Sequence, residues 1–213
     1  GSAWQVAEAL SVERKRVAKK FKKEMEKEVE SLGMPGTIFE VRFLSEEGDV
    51  YEPPFLVGGK KVTEQGMDQV EFYFSPNPGE AVKPLAKIAS GGELSRLMLA
   101  IKSLVLTQGD IPTLLFDEVD AGIGGKVAEI VGKKLKKVAA SHQVLCVTHL
   151  PQIAALADSH YVVQKEVAKG RTFTEVKKLK DKERVEEVAR MLGGVKITEK
   201  TKRHAEEMVK GQG

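Results

Sequence analysis

Residues 113–126 read TLLFDEVDAGIGGK, an apolar run that stops abruptly in two carboxylates and a glycine-rich turn. Thr113 to Phe116 suits a buried strand, and Asp117 and Glu118 then stand just beyond its carboxyl end. After the turn, Val127, Ile130, Val131, Leu135 and Val138 recur at helical spacing, which predicts a helix over 125–139. Val144 to Thr148 repeats the theme as an apolar strand ending at His149, with Pro151 placed for the first turn of a helix. Apolar strands flanked by helices predict an α/β fold with a parallel sheet covered on both faces. Ligands of such sheets gather at the carboxyl ends of the strands. Asp117, Glu118 and His149 are therefore candidates for chemistry.

Upstream, Leu94, Leu97, Met98, Ile101, Leu104 and Val105 predict the inner face of a helix from about Glu93 to Leu106. The residues that open it, 90–96, read SGGELSR. Ser90 and Glu93 have the spacing of a capping box, in which each side chain satisfies the other residue's backbone N–H. A cap has no need of two consecutive glycines, however. Gly91 and Gly92 leave the first-turn N–H groups open to a phosphate at the positive helix end.

Further from the centre, Ser75 to Pro84 is a loop, and Phe39, Val41 and Phe43, then Val70, Phe72 and Phe74, alternate with polar neighbours as strands do. Pro53, Pro54, Gly58, Gly59 and Gly66 break the interval between them. Residues 3–32 lack Gly and Pro, and Trp4, Ala7, Ser11, Ala18, Phe21, Met25 and Leu32 share one seam. This predicts a helix about 45 Å long with coiled-coil spacing, ended by Gly33, Pro35 and Gly36. The tail predicts a hairpin, 161–166 with 172–179 around Lys169 and Gly170, then helices over 182–192 and 198–210.

Composition limits the function. Of 213 residues, 41% are hydrophobic and 31% charged, which excludes general disorder. The net charge of +3 is too small to establish a nucleic-acid partner, so local patches must do so. Lys133, Lys134, Lys136 and Lys137 form one such cluster, and Lys177, Lys178 and Lys180 another; both also read as solvated faces. No apolar run reaches the roughly 20 residues of a membrane span, so a membrane partner is not expected. A single cysteine, Cys146, fits a reducing, cytoplasmic compartment. Gly1 and Ser2, without Met, read as a cloning remnant, with natural sequence expected upstream.

Together, SGGELSR, LLFDE at 114–118 and the lone His149 resemble the signature motif, Walker B segment and switch histidine of an ABC-type ATPase head. In order and spacing they are similar to the C-terminal half of that head in the SMC-like RecN family of DNA repair proteins. The run from Asp117 to Gly125 is especially similar. Residues 3–32 resemble the returning coiled-coil arm, and 37–213 the C-terminal lobe. Most relatives of the broader class carry Asp where Gly124 stands, so that residue's role is not carried over.

The resemblance implies an ATPase of double-strand break repair and recombination, bacterial, cytoplasmic and nucleoid-associated, using ATP and Mg2+. It implies Asp117 as a magnesium ligand, Glu118 as the base that polarises water, and His149 as a phosphate contact in cis. Ser90, Gly91, Gly92 and Glu93 would meet ATP in trans, across a homodimer of heads. The Walker A loop is missing: Gly125 and Lys126 mimic its end, but Asp120 and Val127 replace the required glycine and hydroxyl. The N-terminal half of the same head is thus an implied partner, and the chain alone is expected to be inactive. DNA contact through phosphates is implied as well. Two alternatives stand beside this one, a transporter ATPase fragment and a non-catalytic dimerisation or clamp module.

Overall fold

Helix α1 runs Ser2–Ser31. It ends because Gly33 adopts φ 84°, letting Met34 N–H reach Val29 O at 3.2 Å and Gly33 N–H reach Glu30 O at 3.1 Å. The chain then enters β1 (Ile38–Leu44), followed by the short strands β2 (Leu56–Val57) and β3 (Lys60–Lys61), β4 (Gln69–Ser75) and β5 (Lys83–Pro84). A 3-10 turn at Leu85–Lys87 leads to α2, Gly91–Leu104. This computed structural model describes residues 2–44, 56, 57, 60–88, 90–105, 111–168, 171–194 and 197–211. The expected end of α2 at Leu106, the hairpin turn at Lys169 and Gly170, and the punctuation at Pro53, Pro54, Gly58 and Gly59 lie outside them.

Backbone contacts divide the chain into two units, Gly1–Leu104 and Val105–Gly213. In the first, β1, β4 and β5 form an antiparallel sheet in the order β1-β4-β5, with Phe39 opposite Phe74. The seam of α1 packs on this sheet: Ala7, Ser11, Met25 and Leu32 are buried, and Phe21 meets Phe39 and Phe72 at centroid distances of 5.7 and 5.9 Å. Polar contacts fix the register. Ser11 donates to Asp68 at 2.8 Å, Lys22 donates to Phe39 O at 2.7 Å, and Phe39 N–H donates to Glu26 at 3.2 Å. In α2 the buried set is Gly92, Arg96, Leu97, Leu99, Ala100 and Ser103, whereas Met98 and Val105 are exposed. The inner face is thus rotated from the expected one. An arginine and a serine take places that a purely apolar count overlooks.

The second unit begins with β6 (Thr113–Phe116), then α3 (Gly125–Ala139), β7 (Gln143–Cys146) and the short α4 (Pro151–Ala154). The hairpin β8 (Tyr161–Ala168) and β9 (Arg171–Lys178) and the helices α5 (Asp181–Gly193) and α6 (Glu199–Lys210) complete it. Strands β6 and β7 pair in parallel, with Leu115 opposite Leu145 and Phe116 opposite Cys146. Helix α3 buries Ala128, Val131, Leu135 and Val138, and Ala155, Val188, Ala189 and Ala205 form a second cluster at α5 and α6.

Two sequence expectations need correction here. The sheet is not covered on both faces among the described residues: Leu115 is 68% exposed and Leu145 50%. The second strand also stops at Cys146 rather than Thr148. Val147 N–H still reaches Phe116 O at 2.9 Å, but beyond it the Thr148 hydroxyl and His149 N–H turn to the carboxylate of Asp120.

Candidate functional site

The sequence candidates fall in both units. Ser90 to Glu93 belong to the first, where Ser90 and Gly91 are exposed and Gly92 is buried at the start of α2. Leu94 N–H donates to Ser90 O at 3.0 Å, which closes the first helical turn. Glu93 lies in that turn, so its carboxylate complements the positive helix end.

The second unit brings Asp117, Glu118 and His149 to one edge of the β6–β7 pair, because parallel pairing sets both strand ends side by side. Asp117 and Glu118 are exposed. Glu118 N–H donates back to Asp117 Oδ1 at 2.9 Å. Glu118 has φ 56°, the only non-glycine among the described residues with positive φ. An L-residue with a side chain pays steric strain there, of order 1–2 kcal/mol. Val119, fully buried, pins the turn from below.

In the sequence Asp120 figures only as part of the run from Asp117 to Gly125 and as a mismatch to a Walker A loop. Its side chain is 5% exposed, and one oxygen, Oδ2, gathers three groups from the end of β7. The Thr148 hydroxyl donates at 2.6 Å, His149 N–H donates at 2.9 Å, and His149 Nδ1 lies at 3.0 Å. Thr148 Oγ1 in turn accepts from Leu150 N–H at 3.1 Å. The His149 side chain remains 72% exposed, its far edge open to a ligand. An acid four residues past a strand end, followed by a Thr-His pair at the end of the next strand, is the signal that could have marked it. The same field reaches Cys146: desolvation, with help from Asp120 and Asp117, pushes its thiol up to about 12. That makes it a poor nucleophile near neutral pH.

The basic clusters are partly neutralised. Lys136 pairs with Asp158, Lys177 pairs with Glu183 at 2.6 Å, and Lys178 lies 5.8 Å from the Tyr161 ring centroid. Lys133 and Lys137 are exposed on α3. No helix among the described residues is long and apolar enough to cross a membrane.

No protein-family profile matches the chain. It is 49% identical over 199 residues to the DNA repair protein RecN of Bacillus subtilis (strain 168), a match covering 92% of this chain and 34% of that protein. It is 46% identical over 201 residues to RecN of Halalkalibacterium halodurans, covering 94% and 34%. RecN of Vibrio cholerae is 40% identical over 203 residues, covering 95% and 34%. Among solved structures, the Smc head domain with a coiled coil and joint from Pyrococcus yayanosii is similar with a TM-score of 0.48 and 18% identity, covering 81% of this chain and 29% of that one. A chain from work on ATP-driven dimerization and DNA-stimulated activation of SMC ATPases gives 0.43 and 19%, covering 85% and 96%.

Fold and site together define a mixed α/β lobe with antiparallel sheets and an N-terminal helix. Sequence then narrows the class. The chain belongs to the RecN family as a C-terminal part, spanning about a third of the length of the relatives it matches.

Proposed function

We propose that the chain is the C-terminal lobe of an ATP-hydrolysing head in a RecN-type protein of DNA double-strand break repair. The observation that carries this reading is the parallel pairing of β6 with β7, which sets the Asp117–Glu118 turn beside the His149 turn at one sheet edge. Glu118 acts as the general base that polarises the attacking water, and His149 meets an oxygen of the terminal phosphate. Asp117 would help hold Mg2+, whose charge offsets that of the phosphates when bound. The donor set fits such an ion. Asp117 is an exposed carboxylate at a strand end, the hard oxygen donor that Mg2+ takes beside phosphate and water.

The loop-to-helix start at Ser90, Gly91, Gly92 and Glu93, an ABC-type signature, contacts the ATP of a second head, so that nucleotide joins a homodimer and hydrolysis releases it. Positive first-turn N–H groups and the exposure of Ser90 and Gly91 support this role. The Walker A loop belongs to the N-terminal half of the head, and without it this lobe binds ATP poorly. Two exposed apolar stripes support a missing partner segment. Leu115, Leu145 and Val147 line the uncovered face of β6–β7. Val6, Leu10 and Val17, exposed at coiled-coil spacing on α1, suit the opposite strand of a coiled-coil arm over 3–32, with the lobe over 37–213. DNA is met through phosphates by lysines such as Lys133 and Lys137, and binding weakens steeply with salt. The protein works in the bacterial cytoplasm at the nucleoid.

The test is Glu118→Gln in the full-length protein. Turnover is expected to fall at least about 100-fold while ATP still binds and dimers accumulate in sedimentation. Turnover at the unsubstituted rate would remove Glu118 as the base, whereas a full-length protein with Glu118 intact that turns over no ATP would favour a clamp without catalysis.

A further inference from the structure

We propose that Asp120 is the positioning residue for His149, holding the imidazole through Nδ1 so that Nε2 faces the nucleotide and tying that ring to the turn that carries Glu118. This rests on the reading of His149 as the phosphate contact. The geometry is specific. One buried carboxylate oxygen accepts from the backbone N–H of His149 and the hydroxyl of the preceding Thr148, at 2.9 and 2.6 Å, and lies 3.0 Å from the ring nitrogen Nδ1. Backbone and ring are thus fixed by the same atom, which restricts both the position of the residue and its χ angles.

Proton inventory constrains how the two groups meet. An ionised carboxylate only accepts, so the proton between the two groups sits on Nδ1 and the outward nitrogen is Nε2. A phosphate oxygen also only accepts, so a hydrogen bond from the ring to it requires a proton on Nε2 as well. A carboxylate orienting an imidazole toward its target is a familiar division of labour in hydrolytic sites. Here the carboxylate also lies two residues after Glu118, in a turn closed by Ala121 N–H on Glu118 O at 3.0 Å and anchored by buried Val119. Movement of either strand-end loop is therefore felt by the other.

The experiment is a double-mutant cycle on ATP turnover in the full-length protein, with nucleotide affinity measured separately. Asp120→Ala is expected to lower kcat about tenfold or more with affinity changed less than about twofold, and Asp120→Ala with His149→Ala to be no worse than His149→Ala alone. Asp120→Asn, whose amide oxygen can accept from the same three groups but carries no charge, should recover part of the loss. It also preserves volume, so the test stands even if the alanine variant does not fold. Additive losses, or a loss in Asp120→Asn as deep as in His149→Ala, would overturn the positioning role. Unimpaired Asp120→Ala beside an impaired His149→Ala would do the same. Unimpaired His149→Ala would instead overturn the assignment of His149, and with it any role for Asp120 through that ring.

Discussion

Gly132 on α3 and Leu156, just past α4, approach so closely that a Cβ on the glycine would stand 2.5 Å from Leu156 Cδ1. The same Cβ would lie 3.3 Å from Gln152 O, a backbone atom that cannot swing aside. In a free helix, Ala in place of Gly would stabilise by roughly 0.5–1 kcal/mol. Here overpacking, typically about 1–3 kcal/mol, outweighs that gain. Gly132→Ala is expected to destabilise by about 1 kcal/mol net, read as a lower urea midpoint. Leu156→Ala in the same background should recover part of it, which a purely conformational effect at Gly132 would not allow.

His160 gives the second unit a pH dependence. Burial pushes its imidazole below the ordinary value of 6.5; Glu187 opposes the shift and Arg184 adds to it. Its Nδ1 is buried without a hydrogen-bond partner, as suits a neutral ring. A depressed histidine binds fewer protons folded than unfolded, so this contribution to stability rises with pH through the window just below 6.5. Acidification through that window removes it. Thermal unfolding followed between pH 7.5 and about 5 should show a falling midpoint that flattens in His160→Gln. An unchanged slope in that variant would assign the effect to other groups.

Strain at Glu118 sets stability against activity. Glycine adopts positive φ without a Cβ penalty, so Glu118→Gly should raise stability by roughly 0.5–1 kcal/mol after its own entropy cost. Turnover of the full-length protein should fall as it does for Glu118→Gln. A glycine variant less stable than the parent in denaturant titration would show that the φ of 56° carries no strain.

The readable parts of this chain were those whose signal is local. Helix α3 occupies the predicted 125–139, and the hairpin and the two tail helices lie within two residues of their expected bounds, because spacing and turn residues act over a few positions. The strand pairing between residues 38 and 84 was not readable, since register depends on partners far away in sequence. The apolar run of β6 and β7 read as two-sided burial, and Leu115 and Leu145 show why that failed here: hydrophobic pattern reports the surroundings a strand is built for, and among the described residues one side of the pair stays open. At the site, the strand-end acids and His149 were visible as residue types. Asp120 was not, because its meaning lies in a contact 28 and 29 residues away.

Phe39 offers a last consequence. Strand β1 is the outer member of its sheet among the described residues, and such a strand invites other chains to add on. Glu26 and Lys22, themselves paired at 2.7 Å, occupy the N–H and C=O of Phe39 as a neighbouring strand would. Two charged side chains from a helix thereby stand guard at an open border, discouraging self-association at the very place where an aromatic core would otherwise be within reach of a stray peptide.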